Sequence, residues 1–433
     1  MTTPRVEAGH AVVLGGSIAG CLAAAALARR YARVTIVEKS DFHDETGARQ
    51  SVPQEHHVHL LLQRGKEIME AIFPGFLSEL EQAGALVADL GHDVKWYQAG
   101  RWKNRYRCGI HAHYCSRRLI DTHLRRRVSR LPQITVLSRT QMEGVDFRRD
   151  GDKLAVVGVR LRNDDHAWTL ETAGFGAVEK SMVKTDLGYA SRIYRRRPEF
   201  ASQWKVLLVL ATPPHQRAMG VISPIEGDRW MVTTGGWFGQ YPDRDPNAFL
   251  KALAALPMPD IHQVIQDAEP LSDVSVFRMP GSLRRHYDQL PRWPDGLLVV
   301  GDALGSMNPL YSQGMTLCAL EAECLGENLD TLLAGGLGFQ ELQEKLCRVL
   351  DPAWQMAVTE DLRFPETEGE RDWRTRFLHW YGAGLTRLSA YHRGALEAQI
   401  GVSNLIVSPS RLYAPPIAAR IVLGSLRPGG GYP

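Results

Sequence analysis

Three charged side chains, Glu38, Arg117 and Asp302, stand where the local sequence could put them to chemical use. Glu38 closes the apolar run Val34-Thr35-Ile36-Val37. Upstream, Ala11-Val12-Val13-Leu14 reads as a short buried strand that enters Gly15-Gly16-Ser17-Ile18-Ala19-Gly20 and then an alanine-rich helix from Cys21 to about Arg30. Strand, glycine turn, helix, strand and terminal acid form the pattern of a dinucleotide-binding βαβ unit. Gly15 permits the tight turn, and Gly20 lets the helix pack on the strand. The helix N-terminus offers unpaired N–H groups and a positive dipole end to a pyrophosphate. Glu38 is placed to accept the ribose hydroxyls of an adenosine. The middle glycine of GxGxxG is Ser17 here, which narrows the approach of a pyrophosphate but supplies a hydroxyl donor.

Asp302 belongs to a second turn. Leu297-Leu298-Val299-Val300 reads as another buried strand, leading to Gly301-Asp302-Ala303, Asn308-Pro309, Gln313-Gly314-Met315 and a helix through Leu317, Leu320 and Leu325. An aspartate just after a strand can hold the hydroxyls of a ribityl chain. Gly314 and Met315 can present backbone N–H groups at a helix N-terminus, whose positive end suits the negative charge of a reduced flavin ring. Both turns in one chain point to FAD.

Gly301-Asp302, Asn308-Pro309 and Gln313-Gly314-Met315 together resemble the second FAD motif of the flavoprotein monooxygenases related to aromatic-ring hydroxylases. Ser116-Arg117, with Ile120 and Leu124 following, resembles that family's Arg-x-x-Leu helix, whose arginine reaches the FAD pyrophosphate. Val52-Pro53-Gln54 with His57, His59 and Leu60, and Arg292-Trp293-Pro294, are similar to a bacterial subgroup that includes polyether-pathway epoxidases. The resemblance covers about residues 10 to 330. It implies a single-component FAD-dependent monooxygenase, with NAD(P)H as transient reductant, molecular oxygen as co-substrate and no side chain acting as nucleophile. The expected FAD-binding set is Gly15, Ser17, Ile18, Ala19, Gly20, Glu38, Lys39, Arg49, Val52, Arg117, Gly301, Asp302, Pro309, Gln313, Gly314 and Met315. The expected reaction is epoxidation or hydroxylation of a mostly apolar small molecule of secondary metabolism. A flavin-dependent reductase of an isoprenoid-type double bond is the alternative. A non-catalytic flavin-binding protein ranks lower, as does a halogenase, because no Trp-x-Trp-x-Ile-Pro segment is present.

The elements that must position these residues imply an α/β fold. We expect a Rossmann-like FAD-binding domain from residues 1–90, 115–170 and 278–338, and an inserted β-sheet substrate domain from 91–114 and 171–277. A C-terminal helical cap follows over 339–433. Strand-like runs occupy Val94–Tyr97, Tyr189–Tyr194, Val206–Ala211, Met219–Ile222 and Trp230–Thr234, with a turn at Gly227-Asp228. Trp96, Trp102, Tyr106, Trp204, Trp230, Trp237 and Phe238 are either sheet core or an aromatic lid over the flavin. One piece of the resembled pattern is missing, a strand ending Asp-Ala-Thr-Gly. The hairpin Val145–Arg162 passes through Ala167-Trp168-Thr169-Leu170 straight to Glu171-Thr172-Ala173-Gly174. We therefore expect residues of the natural protein to be absent between Leu170 and Glu171, in preference to a natural deletion. Either origin leaves a gap beside the first strand.

The remaining features mainly exclude. The chain of 433 residues has a net charge of +3, which argues neither for nor against nucleic acid, and we expect no nucleic-acid partner. Arg125-Arg126-Arg127 reads as a solvated helix face. The six cysteines form no CxxC or CxxxxC pair, which fits a reducing, cytoplasmic setting and excludes a disulfide reductase. His56, His57 and His59 lack partners at metal-ligand spacing, so we expect no metal and a histidine hydrogen-bonded to backbone near the flavin. No second GxGxxG, and no GxSxG, HExxH or Walker pattern, is present. The polar start Met1–His10 suggests no signal peptide, and no apolar run reaches membrane-span length. Ile417, Ile421, Val422 and Leu426 read as cap packing, with a membrane-surface contact as the lesser reading.

Overall fold

The computed structural model describes residues 8–44, 53–150, 153–162, 175–200 and 203–425. The first unit opens with β1 (Ala8–Leu14), α1 (Ile18–Leu27) and β2 (Tyr31–Val37). Next come β3 (Leu60–Leu61), α2 (Gln63–Ile72), α3 (Phe76–Gln82) and β4 (Leu86–Asp89). After β5 (Val94–Gln98), β6 (Arg101–Trp102) and β7 (His111–Tyr114), the chain forms α4 (Arg117–Ser129), β8 (Ile134–Leu137) and the hairpin β9 (Gln141–Asp150) and β10 (Lys153–Arg162). The β-rich middle is β11 (Lys180–Arg195), β12 (Val206–Val209), β13 (Ala218–Ile225), β14 (Arg229–Gly236), α5 (Pro246–Ala254), α6 (Asp260–Ile265), β15 (Ser275–Arg285) and β16 (Gly305–Ser306). The rest is helical: α7 (Gly314–Leu333), α8 (Phe339–Val349), α9 (Asp351–Asp361), α10 (Trp373–Leu388), α11 (Arg393–Ser403) and α12 (Pro415–Ser425).

The βαβ expectation is met. β1 and β2 pair in parallel with Leu14 opposite Val37, and β2 pairs in parallel with β8. Gly20 is required by packing, because a Cβ there would lie 1.8 Å from the Gly15 carbonyl oxygen. Gly15 itself has φ +99°, a conformation that side chains resist. Helix α1 carries no charge and buries Ile18, Cys21 and Leu22 against Ile36, Ile120 and Met315 in one core. It also packs along α7. That contact brings the two glycine turns together, so that a Cβ on Gly301 would come 2.6 Å from the Ala19 Cβ.

The parallel sheet has the order β1-β2-β8, with β1 at its edge. Val12 and Leu14 remain 37% and 42% exposed on that edge strand. The expected strand Leu297–Val300 forms no ladder among the described residues. Instead the Gln343 side chain takes both backbone groups of Val299, accepting from its N–H at 2.7 Å and donating to its carbonyl at 3.2 Å. An amide side chain thus satisfies backbone groups that a neighbouring strand would otherwise pair. The link between Leu170 and Glu171 lies outside the described residues.

The large sheet runs β16-β15-β11-β14-β13-β12-β5-β6. Its hairpin turn uses Gly227 and Asp228, both at positive φ. One face packs Trp230, Val232 and Leu207 against Phe249, Leu253 and Ile261 of α5 and α6. The other presents Tyr189, Met219 and Val221. Both faces are covered, so β13 and β14 are buried almost end to end rather than in alternation. The C-terminal helices include a small core of Tyr381, Leu385, Ile417 and Ile421, while Val422 stays 44% exposed. Leu426 lies outside the described residues. Among the described residues no helix is long and apolar enough to cross a membrane.

Candidate active site

A cavity of about 650 Å³ lies where the two glycine turns meet the large sheet. Gly15, Ser17, Ile18, Ala19, Glu38, Lys39, Arg117, Gly301, Asp302, Pro309, Gly314 and Met315 all line it. Twelve of the sixteen expected residues are therefore on one surface, although they come from both ends of the chain. Gly20 stands behind the turn in its packing role. Gln313 faces away, its amide donating to the Ser403 carbonyl at 3.1 Å and tying the start of α7 to α11. Arg49 and Val52 lie outside the described residues.

Glu38 is 6% exposed and stands at the end of β2. Its Oε2 accepts from the Gly16 N–H at 2.6 Å, and its Oε1 accepts from the Ser40 N–H and hydroxyl at 2.9 and 2.5 Å. Burial works to raise its pKa, but the Ser40 and Gly16 hydrogen bonds outweigh it and hold the carboxyl below the usual range. Glu38 is therefore an anion on the cavity wall, with one lone pair of Oε2 left unused by these bonds.

Arg117 is the first residue of α4, capped by the Ser116 hydroxyl accepting from the Leu119 N–H. Its guanidinium donates to Asp121 at 3.0 Å and to the Ser17 hydroxyl at 3.2 Å. The serine that replaces the middle glycine thus holds the arginine beside the turn. Asp302 keeps its carboxylate open to the cavity. The surrounding protein raises its pKa, and Arg117 and Arg285 pull it back.

Gly314 supplies a test of fit. It begins α7, its φ lies outside the left-handed region, and nothing stands within 4 Å of where its Cβ would be. Neither backbone conformation nor packing requires glycine there, although a helical glycine costs about 0.5–1 kcal/mol against alanine. Gly314 itself lines the cavity, as expected if a bound ring approaches the helix end closely. The donor set fits FAD: an anion at Glu38, a cation at Arg117, a carboxylate at Asp302 and helix N-termini at Ile18 and Gly314.

Several site residues carry no local sequence signal. Glu321, two turns into α7 and on the cavity wall, accepts from the Gly301 N–H at 2.6 Å and so holds the Asp302 turn. Burial, with Asp302 nearby, pushes its pKa up to about 8. Asp361 of α9 gathers Trp237, Asn308 and Tyr311 on one carboxylate oxygen at 3.0–3.1 Å, pinning the Asn308-Pro309 loop. Its pKa is pushed up to about 6 by burial. Arg125 corrects the reading of a solvated arginine face. It is buried, donates twice to the Gly16 carbonyl at 3.0–3.1 Å and once to the Phe42 carbonyl at 3.0 Å, and stacks over the Phe42 ring. Position 125 lies on the same side of α4 as Arg117 and Asp121, which faces the glycine turn. Arg127 pairs with Glu79, and Arg126 is exposed.

The sheet wall is Tyr189, Leu208, Leu210, Met219, Val221 and Thr233, with Met307 and Leu310 beside it. None of the tryptophans considered for an aromatic lid lines the cavity. Trp204 and Trp230 stack at 5.8 Å in the core on the far face, and Trp237 packs on Phe364. His59, which lines the cavity, bonds through Nδ1 to the His57 carbonyl at 2.9 Å. This matches the backbone-bonded histidine expected near the flavin. Among the described residues no His, Cys, Asp or Glu cluster could hold a metal ion, and no two cysteines form a disulfide.

No protein-family model matches the chain. It is similar to Protein Rv3254 of Mycobacterium tuberculosis (strain ATCC 25618 / H37Rv), with 30% identity over 403 residues, 84% of this chain and 83% of that one. Among solved structures it is similar to PqsL, a probable FAD-dependent monooxygenase from Pseudomonas aeruginosa. That match has TM-score 0.60 and 18% identity, covering 82% of this chain and 98% of PqsL. It is also similar to p-nitrophenol 4-monooxygenase PnpA from Pseudomonas putida DLL-E4, with TM-score 0.60 and 14% identity, covering 93% and 99% of the two chains. The flavin-dependent brominase Bmp2 matches with TM-score 0.64 and 16% identity, covering 91% and 93%.

Proposed function

Because the chain belongs to the family of Protein Rv3254 and has the fold of FAD-dependent monooxygenases, we propose that it is itself such an enzyme. It would bind FAD in the 650 Å³ cavity, take electrons from a transiently bound NAD(P)H, and transfer one atom of molecular oxygen to a mostly apolar small molecule. Epoxidation of an alkene and hydroxylation of a ring are the two forms of this reaction, and secondary metabolism is its setting.

The observation that carries the reading is the meeting of two glycine turns, Glu38, Arg117 and Asp302 on one cavity whose opposite wall is apolar. Glu38 accepts the adenosine ribose hydroxyls. Arg117, held by Ser17 and Asp121, offers its guanidinium to the pyrophosphate. Asp302, held by Glu321 through Gly301, takes the ribityl hydroxyls. The N–H groups of Gly314 and Met315 at the start of α7 would hold the flavin ring, where the helix dipole would favour negative charge. Bound FAD supplies the oxygen-activating chemistry. The Leu208, Met219 and Val221 wall keeps water from the reacting face. The second FAD-binding turn and the open space at Gly314 favour this over a protein that binds a nicotinamide dinucleotide alone.

The test has two parts. The purified protein should release FAD, not FMN, on denaturation. A screen of polyenes and phenols under labelled oxygen with NAD(P)H should then yield a product carrying one labelled atom. A reduced product formed without oxygen would make the protein a reductase, and a halogenated product a halogenase.

A further inference from the structure

The sheet wall of the cavity is apolar apart from the hydroxyl-bearing residues Tyr189 and Thr233 and, on the short edge strand β16, Ser306. Thr233 sits in a rank of directly opposed residues across four strands. Ser191 of β11 faces Thr233 of β14, which faces Val221 of β13, which faces Leu208 of β12. Cross-strand partners share a face, so this rank looks into the cavity that Thr233, Val221 and Leu208 line.

The Thr233 hydroxyl is backed by buried groups. Its Oγ1 lies 2.5 Å from Ser191 Oγ, which lies 2.8 Å from His57 Nδ1. His57, Ser191 and Thr233 are 1%, 1% and 3% exposed. The His57 ring is set edge-on to Tyr189, with centroids 4.6 Å apart at 90°. Burial, reinforced by the neighbouring histidines, drives its pKa down to about 3, so the ring is neutral at any working pH. A neutral imidazole has one N–H and one lone pair, and hydroxyls both donate and accept. With the proton on Nδ1, His57 donates to Ser191, Ser191 to Thr233, and Thr233 can donate to the cavity. With the proton on Nε2 every bond reverses, and Thr233 offers the cavity an acceptor.

Resting on the reading of this cavity as a monooxygenase site, we propose that Thr233 is its polar specificity determinant. It binds one neutral oxygen, a hydroxyl or a carbonyl, of an otherwise apolar substrate, and Ser191 and His57 act as positioning residues behind it. The wall holds no charged side chain, so a carboxylate or ammonium placed there stays unpaired and is rejected. Because the chain carries no charge and can reverse, the same site serves a donor or an acceptor oxygen.

The experiment compares 2-naphthol, naphthalene and 2-naphthoate, titrated against FAD-supplemented protein and read by the probes' own fluorescence. Wild type should bind 2-naphthol about 3–10-fold more tightly than naphthalene, as expected for one net neutral hydrogen bond, and 2-naphthoate least. Thr233→Val, nearly the same shape without the hydroxyl, should abolish the preference, and Thr233→Ser should restore it. Ser191→Ala should reduce it while leaving naphthalene affinity unchanged. The proposal is overturned if wild type shows no preference, including failure to bind any probe. It is equally overturned if Thr233→Val keeps the preference, or if 2-naphthoate binds best. The flavin spectrum of the same samples reports FAD uptake separately. Absence of FAD there counts against the monooxygenase reading, while the naphthol-to-naphthalene ratio still judges Thr233.

Discussion

Replacing Glu321 by glutamine should stabilise the protein increasingly as pH rises. Glu321 is 2% exposed, lines the cavity and accepts the Gly301 N–H. Burial is the main cause that lifts its pKa from an ordinary 4.5 to about 8, with Asp302 adding to it and the Gly301 hydrogen bond opposing it. A carboxyl whose folded pKa lies above its unfolded one holds its proton more tightly in the folded state. Its contribution to stability therefore falls as pH rises from about 4.5 and levels off above about 8. At roughly 1.4 kcal/mol per unit, wild type should lose about 3–4 kcal/mol between pH 5 and pH 8 relative to a side chain that cannot ionise. Glutamine keeps a carbonyl oxygen for Gly301 and matches the shape of the protonated acid. For a chain of this length the difference amounts to about 4 °C in Tm. Thermal unfolding of both proteins at pH 5, 6, 7 and 8 and constant ionic strength reads it directly. The Tm gap, Glu321→Gln minus wild type, should widen with pH. A gap that stays constant or narrows would refute the claim that a neutral Glu321 supports the Asp302 turn.

Other expectations follow from the same geometry. Glu38→Gln should weaken FAD binding about tenfold or more, the worth of one charge-assisted hydrogen bond; fluorescence titration of apoprotein checks this, and unchanged affinity would disconnect Glu38 from the ribose. Gly314→Ala meets no protein atom within 4 Å, so Tm should hold or rise slightly while FAD affinity drops at least tenfold; equal FAD affinity would show that no ring approaches the helix end. Asp302→Ala should lose flavin before fold, seen as FAD release with Tm of the apoprotein unchanged within about 2 °C, in line with an exposed loop residue. Arg125→Ala should cost about 2–4 kcal/mol by leaving the Gly16 and Phe42 carbonyls short of donors, and denaturant unfolding measures it.

What the sequence determined by itself was local. Strand, turn, helix and acid follow one another between Ala11 and Glu38, so their chemistry is legible in order. The same holds for Gly301-Asp302 through Met315, where a turn and a helix N-terminus are contiguous. The C-terminal helices and the hairpin at Gly227-Asp228 were legible for the same reason. Tertiary structure decided what depends on contacts between distant segments. Leu297–Val300 looks like a strand, but a ladder needs a neighbour, and Gln343 takes that place. The tryptophans of the large sheet could have faced either way, because β13 and β14 are buried on both faces and show no alternation to choose between them. Packing of α5 and α6 drew Trp204 and Trp230 to the far side and left Leu208, Met219, Val221 and Thr233 to the cavity. Glu321, Asp361 and Arg125 carry no motif, because each acts on backbone or side chains that only the folded chain brings near. The hydrogen-bonded line from His57 through Ser191 to Thr233 joins residues remote in sequence. It exists because antiparallel pairing sets Ser191 directly opposite Thr233 and folds the His57 loop against the end of that rank.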